Sequence, residues 1–115
     1  MTQVTIYTSG SSVRGFEACG HAGARRVRGV DLVCCAVSTL TQAGANALET
    51  VAGVVPQVTV EDGYLRCILP DGIEEQKHAR AQIVLQTVIS GLRDIEQVYP
   101  NLVRIKQEEW RQADA

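Results

Sequence analysis

The dipeptide Asp62–Gly63 limits the possible fold of this chain more than any other short segment. It separates Gln57–Glu61 from Tyr64–Leu69, two segments in which apolar and polar residues alternate. Asp-Gly between alternating segments is a strong signal for a two-residue β-hairpin turn, because such turns need positive φ angles. If the residues that flank the turn oppose each other, Cys67 and Val58 share one surface. We therefore expect Cys67 to be a core residue.

Two long segments have apolar residues at helical spacing. The first runs from about Asp31, a good N-cap, to Val55, and Pro56 is expected to end it. The second runs from about Ile73 to Tyr99 and ends before a Pro-Asn pair. The stripe of the first helix contains Val33, Val37, Leu40, Gly44, Ala47, Leu48 and Val51, and that of the second contains Lys77, Ala81, Val84, Val88, Leu92, Ile95 and Tyr99.

The remaining segments complete a ββ-α-ββ-α-β order. Gln3–Thr8 and Val13–Cys19 are predicted to pair through a serine-rich turn, and a last strand begins at Val103. This order predicts an α+β fold, a mostly antiparallel sheet of about five short strands with the two amphipathic helices packed on it. Residues 1–107 are expected to form a single domain, and residues 108–115 a polar tail.

Composition excludes several functional classes. The chain has 115 residues and a formal net charge of −2, so no bulk nucleic-acid binding is expected. No stretch has the length of a membrane span, and the N-terminus lacks the regions of a signal peptide, which together indicate a cytoplasmic protein. The four cysteines are then expected to be reduced. There is no glycine-rich phosphate-binding loop, and no cofactor is expected.

His21 and Cys34 are the strongest candidates for chemistry. His21 follows the second predicted strand, and Cys34 lies in the first turn of the first predicted helix. A thiol attacks as thiolate, and an imidazolium or a helix N-terminus favours that form. Cys34 lies at the border of the apolar stripe, Cys35 points away from it, and Ser38 is one turn further along the same face as Cys34. The spacing leaves a plainer interpretation open, in which these are helix-packing cysteines and an ordinary loop histidine.

Two other interpretations of these side chains carry less weight. A structural metal site would use Cys19, His21 and Cys34 with a further cysteine, but the chain has no Cys-x-x-Cys pair and adjacent cysteines diverge on a helix. No metal site is therefore expected. His78 is the other candidate base, and its place on the flank of the second helix favours a solvent-facing role.

The motifs around His21 and Cys34 resemble those of a known family. Gly20-His21-Ala22, a short glycine-bearing loop, and then Asp31-Leu32-Val33-Cys34 and Ala36-Val37-Ser38 are similar to the signature of the bacterial ribosomal-processing cysteine protease Prp family. The resemblance extends through the opening strands, the hairpin and the second helix, including Gln82–Thr87 and Ile95–Pro100.

The resemblance implies a Cys/His endopeptidase. His21 would be the general base, Cys34 the nucleophile, and Asp31 and Ser38 supporting residues. Cys35 stands where the family more often has a small residue, but the Asp-x-x-Cys register favours Cys34 as the nucleophile. Backbone N–H groups of Cys34 and Cys35 are expected to stabilise the oxyanion, and Asp31 is expected to be a helix cap more than a third catalytic residue.

The resemblance also implies a substrate and an assembly. Family members remove an N-terminal extension from the precursor of large-subunit ribosomal protein twenty-seven, and they usually form homodimers. A mobile loop covers the site, which here would be residues 22–30 with Gly23, Arg25, Arg26, Arg28 and Gly29. The alternative is a non-enzymatic ribosome-associated protein that binds through the arginine loop and the second helix.

Overall fold

Strands and helices alternate along the chain in the predicted order, with one additional strand pair. The computed structural model describes residues 1–21, 26–27 and 30–111. Within this part of the chain the elements are β1 (Thr2–Ser9), β2 (Ser12–Cys19), β3 (Arg26–Val27), β4 (Val30–Asp31), α1 (Leu32–Thr50), β5 (Gln57–Glu61), β6 (Tyr64–Ile68), α2 (Glu75–Val98) and β7 (Val103–Glu109).

The main sheet has five strands in the order β5-β6-β2-β1-β7. All neighbours are antiparallel except β1 and β7, which pair in parallel from Thr2 opposite Val103. β7 runs in the same direction as β1 because α2 first carries the chain back across the sheet. The predicted α+β fold is confirmed, and the sheet is mixed. The short pair β3–β4 was not predicted and forms a separate two-stranded sheet.

The Asp62–Gly63 hairpin has the predicted register. Glu61 opposes Tyr64, and Val58 opposes Cys67. Gly63 adopts a φ of +69°, as a two-residue turn requires. Cys67 is fully buried, whereas Val58 is exposed together with the rest of β5, an edge strand.

The core lies between the sheet and the two helices, but α1 is shorter than predicted. It ends at Thr50 rather than at Val55. Gly53 has a φ of +73° and donates its N–H to Glu49 O at 3.1 Å, so the chain leaves the helix before Pro56 can act. Large side chains that are almost fully buried in the core include Ile6, Phe16, Leu48, Leu85 and Leu92.

The C-terminal part differs from prediction at the end of α2 and at the end of β7. α2 ends at Val98, and Tyr99, expected on the apolar stripe, is 45% exposed. β7 continues to Glu109, so it includes two residues that were assigned to the polar tail. Trp110 follows, donates its N–H to Thr8 O at 2.7 Å and packs edge-on against the Tyr7 ring, whose centroid is 5.3 Å away. The fold therefore continues beyond residue 107.

Candidate active site

His21 follows the end of β2 and lies beside the Asp62–Gly63 turn of the β5–β6 hairpin. Gly20 has a φ of +95° and donates its N–H to Gly63 O at 2.7 Å. A Cβ at Gly20 would lie 2.6 Å from Met1 O, so only glycine fits at this position. These contacts fix the chain immediately before His21, whose side chain is exposed.

Cys34 is placed by the start of α1. Asp31 is the N-cap, with φ −84° and ψ 102°, and its Oδ1 accepts the Cys34 N–H at 2.9 Å. The cap satisfies one of the N–H groups that a helix start leaves without a partner. Cys34 therefore lies in the first turn, as predicted, and its side chain is half-buried against the core.

The side chains of Cys34 and His21 are in contact. Cys34 Sγ lies 3.8 Å from His21 Nδ1. This distance is within hydrogen-bond range for sulfur. It is typical of a nucleophile and base whose hydrogen bond is long in the free enzyme and shortens when substrate binds. When the thiol donates to Nδ1, the neutral imidazole carries its proton on Nε2.

A pocket of about 260 Å³ opens at this pair. Its walls come from α1, from the β5–β6 hairpin and from the end of β2. Ser38 lies in the α1 wall, as expected for a residue on the Cys34 face, and is half-buried. Other lining residues include Ala18, Val37, Thr41, Gln42, Val60, Asp62, Gly63 and Tyr64.

One of the two predicted oxyanion donors, the Cys34 N–H, caps the start of the helix with Asp31. The Cys34 N–H donates to the Asp31 carboxylate. The Cys34 N–H is thus occupied by the cap, and the role of the Cys34 and Cys35 N–H groups towards an oxyanion stays a prediction. The positive end of the α1 dipole still lies at Cys34.

The predicted lid falls largely outside the described residues. The residues outside include Gly23, Arg25, Arg28 and Gly29, and their role in a lid stays a prediction. The backbone of Arg26 is described, and it pairs with Asp31 in β3–β4.

The other candidate side chains do not line this pocket. Cys67 is fully buried, and burial raises the pKa of its thiol to about 12. His78 lines a different pocket, beside Arg14 and Asp71, and lies 3.5 Å from Gln82 Nε2. Within residues 1–21 and 30–111, no three His, Cys, Asp or Glu side chains are grouped so that they could hold a metal ion.

No helix in the described part of the chain is long and apolar enough to span a membrane.

The Asp62–Gly63 turn is the part of the site that the sequence did not predict. The hairpin itself was clear, but nothing in the sequence indicated that β6 pairs with β2 and brings the turn beside His21. The only signal was the Asp-Gly pair, and it is sufficiently explained by the turn alone.

Comparison with known proteins agrees with this geometry. The sequence model of the family described as Cysteine protease Prp matches residues 1–104. The chain belongs to the Prp family. Ribosomal processing cysteine protease Prp of Bacillus subtilis (strain 168) is 30% identical over 108 residues, which cover 91% of this chain and 96% of the relative. The protein is therefore a cysteine-type peptidase, and the non-enzymatic alternative is set aside.

Solved structures of similar proteins share the Prp fold. The crystal structure of an essential ribosomal processing protease Prp from S. aureus, in complex with a covalently linked product peptide, has 25% identity and a TM-score of 0.82, covering 94% of this chain and all of that one. A protein from Streptococcus mutans has 28% identity and a TM-score of 0.80, covering 96% of each chain.

Proposed function

We propose that this protein is a Prp endopeptidase that removes the N-terminal extension from the precursor of large-subunit ribosomal protein twenty-seven. The observation that carries the proposal is the contact between Cys34 Sγ and His21 Nδ1 at 3.8 Å, in the lining of a pocket of about 260 Å³. The names of the Bacillus subtilis and S. aureus relatives, both ribosomal processing proteases, support the substrate class.

The proposed reaction begins with proton transfer from Cys34 to His21. Nδ1 accepts the thiol proton, and the sulfur forms a bond to the scissile carbonyl carbon. The N-terminal dipole of α1 favours the negative charge that develops on the carbonyl oxygen. The imidazolium then donates its proton to the leaving amine as the C–N bond breaks, which leaves a thioester on Cys34.

Hydrolysis of the thioester completes the cycle. Water attacks the acyl carbon, His21 accepts a proton from that water, and the released thiolate recovers a proton from the imidazolium. Asp31 supports the reaction by placing Cys34 at the helix start, and Ser38 is available in the pocket wall to bind the substrate. No metal or other cofactor takes part in these steps.

We further propose that the enzyme acts in the cytoplasm as a homodimer. The site of ribosome assembly and the resemblance to the Prp family support this statement. Sedimentation velocity at several protein concentrations tests it: a species of about twice the 12.5 kDa chain mass is expected. A monomer at all concentrations would contradict it.

The test of the proposed function uses the intact precursor protein. After incubation with the wild-type enzyme, mass spectrometry is expected to find the mature protein and the released N-terminal peptide. Cys34→Ala should leave the precursor intact, whereas Cys19→Ala, which changes an exposed cysteine outside the pocket, should cleave normally. An intact precursor with the wild-type enzyme would reject this substrate, and cleavage by Cys34→Ala would reject the nucleophile.

A further inference from the structure

The backbone of the hairpin turn packs directly against the imidazole of His21. A Cβ built at Gly63 would lie 2.9 Å from His21 Nε2, 3.4 Å from Cε1 and 3.5 Å from Cδ2. Real Cβ atoms do not approach other atoms as closely as the first of these distances, so the ring occupies the space that a side chain at position 63 would need. His21 thus lies between the sulfur of Cys34 at Nδ1 and the turn at Nε2.

The same glycine also holds the backbone next to His21. Its carbonyl oxygen accepts the Gly20 N–H at 2.7 Å, which connects the turn to the residue that precedes the histidine. The His21 side chain itself is exposed. The turn itself is fixed by the antiparallel register of β5 and β6 and by the pairing of β6 with β2.

We propose that Gly63 is a positioning residue for the proposed catalytic base: the absence of a side chain leaves room for the His21 ring beside Cys34, and the Gly63 carbonyl fixes the chain that carries it. This inference rests on the proposed function of His21 and Cys34. It adds the β5–β6 turn to the site as a third element, beside the end of β2 and the start of α1. Geometry at the base matters because a shift of about 1 Å in a reacting group can reduce a rate on the order of a hundredfold.

A matched pair of glycines separates this role from backbone strain. Gly63 and Gly72 have nearly the same φ, +69° and +71°, but a Cβ at Gly72 would have no neighbouring atom within 4 Å. Gly63→Ala and Gly72→Ala therefore impose similar backbone strain, and only the first displaces His21. Gly63→Asn is the second variant, because asparagine tolerates this backbone conformation better than alanine but still places a Cβ against the ring.

The first readout is cleavage of the precursor. We expect Gly63→Ala and Gly63→Asn to lower kcat by at least about tenfold with a smaller change in KM, since the base moves and the pocket walls remain. Gly72→Ala should stay within about twofold of wild type, and thermal unfolding of all variants shows that each is folded.

The second readout does not depend on turnover. Alkylation of Cys34 by iodoacetamide is followed by fragment-ion mass spectrometry, which separates Cys34 from the adjacent exposed Cys35. The rate reports on the base, because a displaced imidazole can no longer take the thiol proton. Near neutral pH, Gly63→Ala and Gly63→Asn should react severalfold more slowly at Cys34 than wild type or Gly72→Ala, and the difference should disappear at alkaline pH.

The outcomes distinguish this inference from the proposed function. If Cys34→Ser cleaves the precursor normally, the assignment of the nucleophile fails regardless of Gly63. If Cys34→Ser is inactive but both Gly63 variants match Gly72→Ala in kcat and in Cys34 alkylation, only the positioning role is overturned.

Discussion

Among individual residues, Asp31 holds the backbone of the nucleophile. Its carboxylate accepts the Cys34 N–H and so sets where α1 begins. Asp31→Ala should lower the free energy of unfolding by about 1 kcal/mol, because the cap is lost, whereas Asp31→Asn should retain most of it, because asparagine caps nearly as well. Urea denaturation measures both. Equal losses in the two variants would show that the carboxylate does more than cap the helix.

Cys67 gives the fold a dependence on alkaline pH. Burial raises the pKa of its thiol to about 12, whereas an unfolded cysteine titrates near about 8.5. The contribution of this thiol to stability is complete below about pH 8.5 and is lost as the pH rises towards about 12, by up to about 1.4 kcal/mol per pH unit, because only the unfolded chain ionises in that range.

Urea denaturation at about pH 8 and about pH 10 tests this dependence in wild type and in Cys67→Ala. The pKa values of Tyr7 and Tyr64 are also raised by burial, and the variant retains both tyrosines. The extra loss of stability in wild type therefore belongs to Cys67. Parallel losses in the two proteins would contradict the assignment.

Among helices and strands, the crossing of α1 and α2 depends on Gly44. A Cβ at this position would lie 2.5 Å from Val88 Cγ2, inside the core. Gly44→Ala should therefore destabilise the protein by about 1 to 2 kcal/mol despite the better helix propensity of alanine. A Cβ at Gly91 would meet only the flexible end of Leu40, at 3.0 Å, and Gly91→Ala should stay within about 0.5 kcal/mol of wild type. Thermal or urea unfolding compares the two, and a stable Gly44→Ala would show that the helices can separate without cost.

Local signals in the sequence predicted most helices and strands. They also predicted the ends of an element wherever one residue determines the backbone conformation there. Asp62–Gly63 fixed the hairpin and its register, and Asp31 fixed the start of α1 within a residue. The end of α1 was misplaced because the left-handed Gly53, rather than Pro56, stops the helix. An isolated glycine near the end of an apolar pattern does not reveal by itself which residue adopts that conformation.

For the complete fold, the arrangement of elements depends on contacts between distant segments, which periodicity does not record. The parallel pairing of β1 with β7 joins residues about a hundred positions apart, and it extends β7 into residues whose polarity indicated a tail. The approach of Gly63 to His21 likewise depends on β6 pairing with β2. The Cys34–His21 contact was predictable because each residue lies at the end of an element with a clear local signal and the family motif links them.

The central claim is that Cys34 is the nucleophile and His21 its base. Single-turnover cleavage of the precursor, with enzyme in excess, tests it in wild type, Cys34→Ser, His21→Ala and Cys35→Ser. The first two variants should lose cleavage, because one replaces the thiolate and the other removes the proton acceptor, while Cys35→Ser should cleave at the wild-type rate. The account would be contradicted if Cys34→Ser cleaved normally, or if cleavage were lost in Cys35→Ser and in no other variant.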